Sequence, residues 1–240
     1  MTTYDLDKIG VPIPENEKAR FLQSMNEKIN NPKGVFPGFH AVTLLKRHLL
    51  DLIEFDYFAC EKSDGTRSLL YIKNYENNSY HFLIDRKMEV FQIFNVKKFN
   101  LKSEYLFDGE FLITKDKNPI FTIFDTIMYD NYMVINLSLL ERLDLAYKST
   151  KILSQLYNFK ITTKKMYKSY GFAEAYNERE SLAHECDGLV FTKVYEPYMY
   201  GTCPTLYKWK PPYLNTVDFL MKYIGNGTYE LFCLGKRIEY

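Results

Sequence analysis

The chain has 240 residues, 46% hydrophobic and 25% charged, which is long enough for one large core and excludes a disordered or low-complexity protein. Lys and Arg total 31 against 30 Asp and Glu, a net charge of +1, so overall charge draws the molecule to neither nucleic acid nor membrane. Cys60, Cys186, Cys203 and Cys233 lie far apart without a C-x-x-C pair and the four histidines lack metal spacing, which excludes a zinc ribbon and leaves reduced thiols as the expectation.

The first twenty residues, MTTYDLDKIGVPIPENEKAR, carry no apolar run, and no stretch approaches the roughly 18 apolar residues of a membrane span; a soluble, intracellular protein is expected. Asn16 to Ile29 then sets Phe21, Met25 and Ile29 four residues apart, the spacing of a helix with one buried stripe, and NNPKG ends it. From Phe55 the pattern turns to short β-rich runs, YFAC, SLLYIKNY, YHFLID and MEVFQIF, with NYENNSY as a hairpin connection. Tyr105 to Phe111 and Ile120 to Phe124 add two strands to a mainly antiparallel sheet. Ser138 followed by Glu141 is a capping-box signature, opening a helix expected to turn Leu140, Leu143, Tyr147, Leu153 and Leu156 inward. Glu174 to Glu185 reads as a shorter helix, DGLVFTKV and TLYKWK as strands, and VDFLMKYI-GNG-TYELFCL as a hairpin beyond Pro211-Pro212.

Glu61-Lys62-Ser63-Asp64-Gly65-Thr66-Arg67 stands directly after an apolar strand. A lysine there is a nucleophile if nearby cations and desolvation lower its pKa from about 10.4; Asp-Gly supplies a tight turn and Arg a phosphate or ribose contact. Taken alone, the run also reads as a charged surface turn. Glu110 in FDGEF and Asp187 in CDGLVF are acids at strand ends of the kind that suit Mg²⁺, which takes one or two carboxylates and leaves its other positions to water and phosphate. Lys208 and Lys210 alternate about Trp209, so on one strand both amines point one way and the indole the other.

The K-x-D-G-x-R run resembles the nucleophile motif of the covalent nucleotidyltransferases, the capping enzymes and ATP-dependent ligases. FDGEF (Phe107 to Phe111), FTIFD (Phe121 to Asp125), CDGLVF (Cys186 to Phe191) and LYKWKPP (Leu206 to Pro212) follow in the family's order, and VFPGF from Val35 resembles its F-P-G segment. The resemblance runs from Phe36 to Asp218, most of the chain. EKSDGTR and the Trp209-containing K-W-K-P are most similar to fungal-type mRNA capping guanylyltransferases. It implies an α+β, ligase-type (ATP-grasp-like) nucleotidyltransferase domain of antiparallel sheets flanked by helices over 1–214. Residues 215–240 would be the first strands of a C-terminal OB-fold; its basic final motif, similar to R-x-D-K, has no counterpart after Pro212.

The resemblance also implies the roles. Lys62 would form a covalent lysyl-GMP, Arg67 would hold ribose or phosphate, and Arg86 in LIDR would be a second phosphate contact. Glu110 and Asp187 would hold Mg²⁺ or Mn²⁺, and Phe124, or Phe121 in its place, would stack on guanine. Lys164, or Lys165, would read the guanine O6, while Lys208 and Lys210 would act on the triphosphate. The implied reaction uses GTP and passes GMP to the 5′-diphosphate end of RNA. The implied partners are an RNA triphosphatase in trans and the phosphorylated tail of RNA polymerase II, with no membrane, in the nucleus or, for a viral chain, the cytoplasm. An ATP-using polynucleotide ligase and a nucleotide- or partner-binding domain without turnover are the rival readings.

Overall fold

In a computed structural model, which describes residues 6–76, 78–98, 101–216, 219–233 and 236–237, the periodicities of the sequence settle into three sheets and four α-helices. The chain divides into two units, Met1–Trp209 and Lys210–Tyr240. The first runs β1 Gly10–Pro12, α1 Glu15–Lys28, β2 Phe39–Thr43, α2 Leu49–Glu54, β3 Tyr57–Ser63, β4 Thr66–Tyr75, β5 Asn78–Asp85, β6 Val90–Ile93 and β7 Tyr105–Ile113. It continues with β8 Pro119–Tyr129, β9 Tyr132–Met133, α3 Leu139–Leu156, β10 Lys160–Thr163, β11 Tyr167–Lys168, α4 Phe172–Glu178, β12 Cys186–Lys193 and β13 Gly201–Trp209. The second holds β14 Leu220–Gly225, β15 Thr228–Cys233 and β16 Lys236–Arg237 as an antiparallel sheet. There Asn226 and Gly227 take φ of 51° and 73°, the mirror-image turn that joins twisted hairpin strands.

Two sheets build the first unit. The larger has the order β1-β6-β5-β4-β7-β8-β10, with β9 on β8; the smaller has the order β11-β3-β12-β13-β2. Pairing is antiparallel except for β10 on β8 and β13 on β2. Because side chains alternate along a strand, β4 feeds two cores: Leu70 and Ile72 meet Leu153 and Leu156 of α3 on one face, while Leu69 and Tyr71 meet Met25 of α1 and Ile29 on the other. α1 carries the expected stripe and ends where Asn30 adopts φ 53°, the left-handed conformation that stops a helix. On the outer face of the smaller sheet Tyr57, Ala59, Leu189, Phe191 and Tyr207 pack with Ala175 of α4. The cysteines are free, and no helix among the described residues is long and apolar enough to cross a membrane.

Two helices differ from the sequence reading. α4 begins at Phe172 and ends at Glu178, so most of the span to Glu185 is a short 3-10 turn and loop. α3 has its capping box, with Ser138 and Glu141 exchanging hydrogen bonds, but its inner stripe is Leu139, Arg142, Ala146, Ser149, Leu153 and Leu156; Leu140 and Tyr147 are exposed. The helix is rotated because Arg142 turns inward to a buried carboxylate, which outweighs two outward apolar residues.

His81 of β5 is buried, its Nδ1 2.5 Å from the Tyr157 hydroxyl just beyond α3, and burial lowers its pKa to about 4 from 6.5. The unfolded chain therefore binds a proton between those values that the folded chain refuses, so stability falls as pH drops from about 6.5 toward 4, by up to about 3 kcal/mol. Urea unfolding across that range checks this; His81→Gln should flatten the slope, and an unchanged slope would place the acid sensitivity elsewhere.

Candidate nucleotidyl-transfer site

A cavity of about 340 Å³ lies between the two sheets of the first unit. Period-2 alternation explains its wall on the smaller sheet: Cys60 and Lys62 of β3, Val190 and Thr192 of β12, and Leu206 and Lys208 of β13 all face it, while their odd-numbered neighbours Ala59, Leu189, Phe191 and Tyr207 fill the outer core. The larger sheet contributes Arg67 of β4, Glu110 of β7 and Phe124 of β8, with Arg86 after β5 and Lys164 after β10. Five cationic side chains, Lys62, Arg67, Arg86, Lys164 and Lys208, face three acidic ones, Asp64, Glu110 and Asp125, a balance suited to a polyanion. A larger groove of about 910 Å³ on the outer face of the smaller sheet is lined mostly by apolar residues with Trp209 and carries none of these groups.

The EKSDGTR run is the passage from one sheet to the other. β3 ends at Ser63 in the smaller sheet and β4 starts at Thr66 in the larger, so Asp64-Gly65 carries the chain across the cleft where the sequence reading expected a tight turn. Gly65 is required by close approach: a Cβ there would stand 2.5 Å from the Phe111 carbonyl oxygen and 2.3 Å from Leu112. Its N–H donates to Glu110 Oε1 at 3.1 Å, tying the crossing to β7.

Two bulges aim the flanking groups. Asp108 and Gly109 of β7 pair with Asp125 and Ile123, leaving Phe124 as the extra residue; Lys62 and Ser63 pair with Gly188 and Cys186, leaving Asp187 extra. A bulge re-aims the side chain it carries. Phe124 thereby enters the cavity, with the Arg67 guanidinium 5.3 Å and the Lys164 ammonium 5.5 Å from its ring centre. Asp187 meets Lys62 with Nζ to Oδ1 at 2.8 Å. The partner of Lys62 is thus a carboxylate, where the sequence reading called for cations around it.

The open alternatives separate by burial. Phe121 is fully buried in the α3-side core, whereas Phe124 lines the cavity. Lys165 is exposed and bonded to Glu178, whereas Lys164 is buried, donating to the Glu61 carbonyl at 3.1 Å and lying 3.4 Å from the Glu61 and 3.7 Å from the Glu110 carboxylate. Burial disfavours the Lys164 charge, but these carboxylates outweigh it and raise its pKa. The carboxylates diverge. Burial opposes ionisation of both, but Lys164 with hydrogen bonds from His184 and Ser63 holds Glu61 below its ordinary value, while burial leaves Glu110 above. Lys208 is exposed on the cavity side of β13, with Trp209 turned to the outer face against Tyr176. Lys210 does not share that geometry, since β13 stops at Trp209 and Lys210 begins the second unit.

Arg67 is committed more deeply than a surface phosphate contact. It donates from Nε and Nη2 to Asp108 at 3.1 and 2.6 Å and from Nη1 to the Phe39 carbonyl at 2.6 Å, and Tyr198 also donates to Asp108 at 2.5 Å. Three of its five N–H donors are thus used and two remain. Arg86 is exposed beside a turn that Asp85 fixes by accepting from the N–H groups of Lys87 and Glu89. Sequence reasoning passed over Glu61, Asp108, Arg142, His40 and Tyr198. The one signal for this set was the acid inside each of EKSDGTR, FDGEF and FTIFD, whose Arg or His partners are 17 to 123 residues away.

For a metal, no group of three or more His, Cys, Asp or Glu among the described residues converges on one point. Of the two acids that the sequence reading offered to Mg²⁺, Glu110 lines the cavity and Asp187 is engaged by Lys62; a pair of carboxylates is within what Mg²⁺ takes from a protein when phosphates and water complete its shell.

Residues 4–212 match the family described as mRNA capping enzyme, catalytic domain. The chain is 32% identical over 91% of its length to the mRNA-capping enzyme subunit alpha of Schizosaccharomyces pombe, and 32% identical over 91% to that of Neurospora crassa; it spans 62% and 61% of those proteins. Among solved structures, the ATP-dependent DNA ligase of bacteriophage T7 in complex with ATP superposes with a TM-score of 0.55 at 14% identity, covering 84% of this chain and 80% of the ligase. That likeness shows a ligase-type nucleotidyltransferase fold.

Proposed function

Because the chain belongs to the mRNA capping enzyme family, we propose that it is an mRNA guanylyltransferase or the nucleotidyl-transfer part of one. It would form lysyl-GMP at Lys62 from GTP and transfer GMP to the 5′-diphosphate end of RNA. One observation carries this reading: Lys62 stands at the junction of two sheets in a cavity that also gathers Arg67, Arg86, Phe124, Lys164 and Lys208.

In this reading the base stacks on Phe124 and the triphosphate extends toward Arg86 and Lys208. Lys62 is held by Asp187 for in-line attack: its ammonium first gives a proton to solvent, the neutral amine forms the Nζ–P bond as the bond between the α-phosphorus and the bridging oxygen breaks, pyrophosphate leaves, and the nitrogen releases its second proton to solvent. Lys208 balances charge on the leaving pyrophosphate. Glu110 and Asp187 would hold Mg²⁺ or Mn²⁺, which supplies charge neutralisation at the phosphates. An RNA triphosphatase would supply the diphosphate ends. The phosphorylated polymerase tail as a docking partner, a nuclear location and residues 215–240 as the beginning of an OB-fold belong to the same proposal.

Base choice follows from Lys164. Its ammonium can donate to the O6 of guanine but meets only another donor at the amino group of adenine, and an unsatisfied buried donor costs about 1–3 kcal/mol, roughly one to two decades. Incubation with α-labelled GTP and Mg²⁺ should give a label on the chain stable to alkali and labile to acid, formed one to two decades more efficiently than with ATP. Equal labelling by ATP would move the chain to the ligase reading, and nucleotide binding without any label would make it a binding domain.

A further inference from the structure

His40 is a titratable cavity residue for which neither the motifs nor the family resemblance supplies a role. It lies on β2, the edge strand beside β13, and faces the cavity with Lys208. Its imidazole sits 6.4 Å from the ring of Phe36, over which the Arg67 guanidinium is placed at 5.4 Å. The charged groups that act on it most strongly come from four elements: Arg67 from β4, Arg86 after β5 and Lys208 from β13 are positive, and Asp108 of β7 is negative; Asp64, Glu110 and Asp125 line the same cavity. Asp108 is already occupied, accepting from both Arg67 and Tyr198. His40 is thus a half-buried titratable group in a corner where the cations Arg67, Arg86 and Lys208 outweigh Asp108.

Resting on the reading of this cavity as a triphosphate site, we propose that His40 is a further phosphate-binding residue that takes up a proton when the triphosphate enters. Burial, then Arg67, Arg86 and, less strongly, Lys208 hold the imidazole below its ordinary pKa of 6.5 against the opposing pull of Asp108, so it is neutral near pH 7. A triphosphate brings several negative charges to the same corner, neutralises the three cations and favours the imidazolium, which can then donate a charge-assisted hydrogen bond to a phosphate oxygen. The sign follows from linkage. The bound state holds more protons than the free state between the two pKa values, so affinity rises as pH falls through that interval.

The test is calorimetric titration with the α,β-methylene analogue of GTP, whose bridging carbon blocks transfer to Lys62, and with inorganic triphosphate, which has no base. Each is run at several pH values in buffers of different ionisation enthalpy. Wild type should take up a proton with either probe. His40→Gln should take up less by about one proton and bind about tenfold more weakly at pH 6, with the deficit shrinking toward pH 8. His40→Lys, carrying a fixed charge, should keep the affinity and lose the uptake, which separates this role from a merely structural one. Uptake unchanged in His40→Gln, or a pH-independent deficit, overturns the inference while leaving the guanylyltransferase reading intact. Binding of neither probe overturns both, and failure of GTP labelling with normal proton-linked binding overturns only the reaction.

Discussion

Lys62→Ala should abolish covalent labelling by GTP altogether while leaving GTP affinity within a few-fold of wild type. The reason lies in what Lys62 touches. Its amine is bonded to Asp187 and makes one part of a wall whose other cationic groups, Arg86, Lys208 and Arg67, remain in the variant. Binding is shared among many groups, but the phosphoramidate bond has one nitrogen. Lys62→Arg should fail equally, because an arginine side chain does not lose its proton in a protein and a guanidinium is no nucleophile. Asp187→Asn should slow labelling while retaining the amine: the ion pair at 2.8 Å is weakened, a displacement of about 1 Å costs on the order of 10²-fold in rate, and the proposed hold on the metal is weakened with it. Single-turnover labelling beside a direct GTP affinity measurement checks all three. Labelling that persists in Lys62→Ala would remove Lys62 as the covalent site, and Asp187→Asn at wild-type rate would remove the orienting role.

The second large effect is on stability. Arg142→Met should lower unfolding free energy by about 3–5 kcal/mol, the cost of stranding a buried charge. Arg142 is fully buried on the inner face of α3 and grips Asp125 twice, Nε to Oδ1 at 2.6 Å and Nη2 to Oδ2 at 3.0 Å; its Nη1 serves the carbonyls of Leu137 and Glu196. Burial raises the pKa of Asp125, and Arg142 is the main force opposing that rise. For a domain with 5–15 kcal/mol in total this is a large fraction, equivalent to a fall of roughly 6–20 °C in Tm. Adding Asp125→Asn to Arg142→Met removes the stranded charge and should recover part of the loss, so the pair couples in a double-mutant cycle. The effect reaches the site, since Asp125 is the register partner of Asp108 and follows Phe124, whose aim depends on the bulge between them. Urea midpoints measure the cost; a loss below about 1 kcal/mol would mean that α3 and β8 are held by apolar packing alone.

The sequence by itself was enough for the elements whose pattern is local. The helix of Phe21, Met25 and Ile29, the hairpin around NYENNSY, the capping box at Ser138 and the strands bearing the motifs form as read, because 3.6- and 2-residue periodicities and turn chemistry act between near neighbours. The order of the motifs likewise sufficed for the family, since it is a property of the chain and not of its folding. What tertiary structure decided is each choice that depends on a partner distant in sequence. It divided the strands between two sheets and made Asp64-Gly65 the crossing between them. It sent Phe121 to the core and Phe124 to the cavity through one unpaired residue, and it buried Lys164 beside Glu61 and Glu110 while leaving Lys165 exposed. It rotated α3 so that Arg142 meets Asp125, against the apolar stripe that hydrophobicity alone selects. The physical reason is common to these cases: burying a charge is favourable only with its counter-ion in place, and no periodicity within one segment encodes where that counter-ion arrives.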